Sequence, residues 1–151
     1  MLRSRSSKEA PHSSVAHYLG DKKVGAEQWK NFAVQSRNLI KQLASFVKAR
    51  SAEGRTVAGY GASAKSAQWL NLCEFTRRDI RFVCDNTAQK QYRNCPGSEI
   101  PVVDDGALTR ELPEYAVCFA WNFFKEILEK EEIFRKKGGK WIVPVPKLEV
   151  I

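Results

Sequence analysis

An α/β fold built on a mostly parallel sheet is what this 151-residue sequence predicts. Three observations carry that expectation. Strand-like and helix-like stretches alternate along the chain, the strands read as short apolar runs, and the first strand ends in a glycine-rich turn that opens a helix. Continuous apolar runs belong to strands buried on both faces, as the strands of a parallel sheet are. A chain of this length buries a core without metal or disulfide staples, so one domain preceded by a tail is the expected organisation.

Residues 1–20 are basic, Ser-rich and without hydrophobic period, and are expected to be a flexible tail ahead of a single domain over 21–151. Over 25–50, Trp29, Phe32, Ala33, Leu39, Ile40, Leu43, Phe46 and Val47 follow the helical period and draw one apolar stripe along a long amphipathic helix. Such a stripe requires a packing surface. Gly54 stops the helix and 55–60 reads as the first strand. A helix suits 63–72, and strands suit 80–84, 100–103 and 115–119. The stretch 123–137 reads as one strong helix with Phe124, Ile127, Leu128 and Phe134 on its inner face, where Glu131 interrupts the stripe. Gly138 and Gly139 end it, 140–143 makes the last strand, and Pro144 and Pro146 then keep the chain extended. Five strands joined by right-handed crossovers predict the order 3-2-1-4-5 in a Rossmann-like, three-layer domain.

Composition narrows the function. No apolar run approaches the ~20 residues that a spanning helix needs, which argues against a membrane protein. The net charge of +8 favours an anionic ligand. Nucleic acid is not the expected one, because the cations are scattered rather than interleaved with aromatics and no nucleic-acid motif appears. The cysteines at 73, 84, 95 and 118 never form Cys-x-x-Cys, and the two histidines, His12 and His17, lie near the N-terminus, so no metal site is expected. Cys84 and Cys118 fall inside strands and read as core thiols, with a reduced cytoplasmic setting as the expectation.

The residues that can carry chemistry converge on the first strand-to-helix turn, Gly59-Tyr60-Gly61-Ala62-Ser63-Ala64-Lys65. It fits G-x-G-x-x-G/A between a strand and a helix, the context in which glycines permit a tight turn and a close backbone approach to pyrophosphate. Helix N–H groups then face the phosphates, and Lys65 adds a cation. Small residues also serve helix-on-strand packing, so the pattern has a purely structural reading beside the binding one. Asp85, 21 residues beyond Ala64, ends the second strand where such a site places its ribose-binding carboxylate; Asp85-Asn86-Thr87 is equally a polar turn. Lys90 and Arg93 in the loop that follows can reach an anion or can be solvated charges. Trp121 and Asn122 follow the fourth strand, beside the switch point where ligand crevices form, although Asn122 can instead cap the next helix.

In their order along the chain, several segments resemble the C-terminal domain of the sugar C-methyltransferase family, enzymes that methylate a carbon of a nucleotide-linked deoxysugar. They are Val57 to Lys65, Asn71, Phe82-Val-Cys-Asp85 with Lys90-Gln91, Pro96 to Pro101, Ala120-Trp-Asn122 with Glu126-Ile127, and Gly138-Gly139 followed by Pro144-Val-Pro146, with Trp29 and Phe32 upstream. The resemblance implies a domain that helps to hold a nucleotide diphosphate sugar. It assigns zinc and S-adenosylmethionine to two further domains, so no cofactor is expected on this chain and no catalysis by it alone. A separate methyltransferase polypeptide or a homodimer is the partner to expect. Relatives tend to carry a proline within the turn and a glycine after the lysine, where this chain has Ser63 and Ser66, and a glycine after Lys90-Gln91, where it has Tyr92.

The rival expectation is a small enzyme acting alone on NAD or S-adenosylmethionine, prompted by the same turn and Asp85; neither histidine falls near the expected crevice to serve it. A ligand-free assembly module that docks its amphipathic helix on a partner is the remaining alternative.

Overall fold

The computed structural model of the chain describes residues 24–151, so the tail expected over 1–20 lies outside the described residues. The chain divides into two units, one ending at Gln35 and the other running from Ser36 to Ile151. The described part of the first unit is the leading portion of helix α1 (Ala26–Ala52). There the Gly25 N–H donates to Gln28 Oε1 at 2.8 Å, and the rings of Trp29 and Phe32 meet edge to face at 6.1 Å.

The stripe of α1 does not behave as one surface. Leu43 and Val47 are fully buried, and Ile40, Ala44 and Phe46 pack against the same core, whereas Trp29 and Phe32 are 60% and 61% exposed.

In the second unit the strands are β1 (Val57–Tyr60), β2 (Val83–Cys84), β3 (Val102–Val103), β4 (Tyr115–Cys118), β5 (Lys140–Val143) and β6 (Glu149–Val150). They form one sheet in the order β3-β2-β1-β4-β5-β6. The first five are parallel in the expected sequence, with Gly59 beside Val83 on one side and Val117 on the other. The five-strand expectation is corrected by β6, which runs antiparallel along β5 and pairs Val150 with Ile142. Two residues are too short to display a period of two, and the flanking prolines read only as extended chain.

Alternation along the strands feeds two cores. Val57, Val117 and Ile142 face Leu43 and Val47 of α1 and Leu70 of α2 (Ala64–Leu72). Ala58, Tyr60, Ala116, Cys118 and Trp141 face the other way, toward α3 (Ala107–Glu111), α4 (Phe124–Lys130) and α5 (Glu132–Lys136). Helices therefore cover both faces. No helical period marks α3 in the sequence, because its single apolar pair, Ala107 and Leu108, is too short to show one.

The single helix expected over 123–137 is a 3₁₀ turn at Trp121–Phe123 followed by α4 and α5. The break is at Glu131, with φ −95° and ψ 34°. Its side chain turns inward, is 6% exposed, and accepts a hydrogen bond from the Tyr60 hydroxyl at 3.1 Å. A buried carboxylate needs that partner, and satisfying it takes precedence over helical continuity.

Candidate functional site

Strand β1 delivers the glycine turn to the carboxyl edge of the sheet. At Gly59 a Cβ would stand 2.8 Å from Phe119 Cε2, and at Gly61, where φ is +92°, it would stand 2.9 Å from the Ala120 Cβ. Both glycines are thus required by close approach, and Gly61 also by its left-handed backbone. Ser63 then caps α2. Its N–H donates to Ser66 Oγ at 2.7 Å while the Ser66 N–H donates to Ser63 Oγ at 3.3 Å, a reciprocal cap. These are two of the positions at which the chain departs from the pattern it resembles, and the two departures complete each other.

The cap and the sheet consume most of the turn's amides. Gly61 N–H donates to Cys84 O at 2.7 Å and Ala62 N–H to Asp85 Oδ2 at 2.7 Å. The N–H groups of Ala64 and Lys65 have no acceptor among the described residues. Of the turn's amides, those of Ala64 and Lys65 at the start of the helix are thus left without a partner among the described residues, and those of Gly61 and Ala62 are not.

Asp85 ends β2 as the sequence suggests, with its side chain engaged. Thr87 N–H donates to Oδ1 at 2.9 Å, and the Lys90 ammonium lies 3.3 Å from Oδ1 and 3.2 Å from Oδ2. Burial pushes the Asp85 pKa up, but the hydrogen bonds from Thr87, aided by Lys90, outweigh it and hold the carboxyl below its ordinary range. Gln91 adds a bond from Nε2 to the Asp85 carbonyl at 3.0 Å. One carboxylate thus ties the glycine turn, the end of β2 and the following loop together.

Two grooves flank this junction. The larger, about 520 Å³, lies between the start of α2 and the loop after β2, where Ala62, Ser63, Ala64, Lys90 and Arg93 line it. The smaller, about 350 Å³, is lined by Tyr60, Gly61, Ser63, Asp85 and Asn86, and by Ala120, Phe123 and Lys130 from beyond β4. It occupies the point between β1 and β4 where the chain order reverses. Asn71 braces the larger groove by donating from Nδ2 to Ala67 O at 2.6 Å and to Pro96 O at 2.9 Å.

Other expected residues fall beside the grooves. Lys65 Nζ stands 4.6 Å above the Trp121 ring, which meets Trp69 edge to face at 6.0 Å. Neither Lys65 nor Trp121 lines a groove. Asn122 is exposed, and neither the 3₁₀ turn nor α4 has a side-chain cap, so it does not take the capping role. Phe123 and Lys130 lie off the apolar stripe of the 123–137 stretch, so helical periodicity carries no signal for their place in the groove. Tyr92 adopts the positive φ of 61° that a glycine would take, with its side chain 89% exposed and its N–H donating to Val102 O at 2.9 Å.

All four cysteines are free and buried. Burial pushes the thiols of Cys73, Cys84 and Cys118 up to about 12 and that of Cys95 up to about 11. Among the described residues no three His, Cys, Asp or Glu side chains gather as a metal would need, and no helix is long and apolar enough to cross a membrane.

A family model described as the C-methyltransferase C-terminal domain matches residues 1–146. The chain is also 37% identical over 123 residues to the C-methyltransferase NovU of Streptomyces niveus, a match covering 82% of this chain and 29% of that protein. The chain thus spans less than a third of the length of the curated relative it matches.

Proposed function

The chain belongs to the C-methyltransferase C-terminal domain family, and from that premise we propose that it is a Rossmann-like module that binds a nucleotide diphosphate sugar for a sugar C-methyltransferase. The observation that carries the reading is the junction at Ser63, where two grooves meet beside the unpaired N–H groups of Ala64 and Lys65. In this reading the diphosphate lies at the start of α2, in the larger groove, and a hydroxyl-bearing end of the ligand reaches into the smaller one. Lys90 and Arg93 supply positive charge to the larger groove.

Methyl transfer itself is assigned to other parts of the enzyme, in the same or a separate polypeptide. The four cysteines, each buried as a high-pKa thiol, do not fit a zinc centre. The glycine-rich strand-to-helix turn at Gly59 to Lys65 is committed to the sugar nucleotide in this scheme, which leaves S-adenosylmethionine to another domain. The charged surface and the unaroused thiols suit a cytoplasmic protein.

Isothermal titration against a panel of nucleotide diphosphate sugars, NAD and S-adenosylmethionine tests the proposal. A nucleotide sugar is expected to bind, with the other two failing to compete. Binding of NAD or S-adenosylmethionine in preference to every nucleotide sugar would overturn it. A second reading, an assembly module, draws on the exposure of Trp29 and Phe32 and expects a dimer in sedimentation at micromolar concentration.

A further inference from the structure

The ion pair between Lys90 and Asp85 stands where the two grooves adjoin, with Lys90 lining the larger and Asp85 the smaller. An ionised carboxylate offers about four acceptor positions. Ala62 N–H, Thr87 N–H and the two contacts of Lys90 occupy them, so a ligand hydroxyl reaches Asp85 only by replacing a donor. Two of the donors are backbone groups held by the fold. The third is an ammonium on a flexible four-carbon stem, with its side chain 42% exposed, and it is the one that can leave.

The larger groove gives it a destination. Arg93 lines the same wall, and a phosphate entering between them takes the charge-assisted bonds that Lys90 otherwise gives to Asp85. Resting on the nucleotide-sugar reading above, we propose that Lys90 is a latch: a phosphate-class anion in the larger groove draws its ammonium off Asp85 and so opens that carboxylate to a hydroxyl of the same ligand in the smaller groove. The two grooves are then coupled, and the coupling is reciprocal, since a hydroxyl donor that replaces Lys90 at Asp85 releases the ammonium for the anion. A ligand carrying both groups is favoured over either group alone. Lys90 acts here as a positioning residue and touches no reacting atom.

The test uses inorganic pyrophosphate and uridine as probes, with wild type and Lys90→Met, which keeps the apolar stem and removes the charge. The ¹³C resonance of the Asp85 side-chain carboxyl reports the opening of the pair. It is expected to move when pyrophosphate is added to wild type and to stay in place in the variant, whose pyrophosphate affinity falls about tenfold. Uridine is expected to bind wild type more tightly with pyrophosphate present, and that gain vanishes in Lys90→Met. A carboxyl resonance indifferent to pyrophosphate, or the same uridine gain in both proteins, would overturn the latch. Should pyrophosphate open the pair and couple to uridine while no nucleotide diphosphate sugar binds, the latch stands and the sugar-nucleotide reading fails.

Discussion

The N–H of Ala62, at the heart of the glycine turn, donates to Oδ2 of Asp85 at the end of the neighbouring strand, 2.7 Å away and 23 residues later in the chain. The glycine turn and the carboxylate that the sequence singles out are thereby bonded to each other. The carboxylate that sequence reasoning assigned to a ligand's ribose also holds the turn in shape.

Asp85→Ala is expected to destabilise the domain by about 2 kcal/mol, because it leaves the part-buried Ala62 and Thr87 amides without their acceptor. Urea unfolding measures it. The folded-state pKa of Asp85 is depressed, so its contribution is fully present above the unfolded value of about 3.9 and is lost as pH falls through the folded value. Asp85→Asn is expected to flatten that acid limb of the stability curve.

Gly61→Ala is expected to cost about 2–3 kcal/mol, since the new methyl group meets the Ala120 Cβ at 2.9 Å on a backbone with φ +92°. A loss below about 0.5 kcal/mol in thermal and urea unfolding would show that the turn relaxes freely.

Glu131 has the opposite pH behaviour to Asp85. Burial raises its pKa against the bond from Tyr60 and the charge of Lys130. Its raised folded value means that its contribution is present at and below the unfolded glutamate value of about 4.3 and is lost as pH rises through the folded one. Glu131→Gln, which keeps an acceptor for the Tyr60 hydroxyl, is expected to gain stability relative to wild type as pH is raised from 4 to 7 in a urea-unfolding series. A difference that stays constant with pH would contradict this.

Leu43→Ala and Trp29→Ala separate the two parts of the α1 stripe. The first removes a fully buried side chain and is expected to cost about 3 kcal/mol. The second truncates a residue that is 60% exposed and is expected to change unfolding free energy by less than about 0.5 kcal/mol. Equal losses would mean that Trp29 is as much a core residue as Leu43.

The sequence alone determined the order of the five parallel strands, the turn at Gly59 to Lys65 and the place of Asp85. Each of those depends on information local in the chain: apolar runs of strand length, small residues where backbones approach, and a polar residue at a strand's end. Tertiary structure decided what local patterns do not encode. Glu131 breaks its helix because a hydroxyl 71 residues away requires it in the core, and β6 forms because β5 leaves an edge to be paired. Which amides of the turn remain unpaired was likewise decided by Cys84, Asp85 and Ser66, residues whose proximity only the folded sheet creates. Hydrogen-bond satisfaction is a property of the whole packed chain, so the sequence located the candidate site while the fold settled which of its groups have bonds still to give.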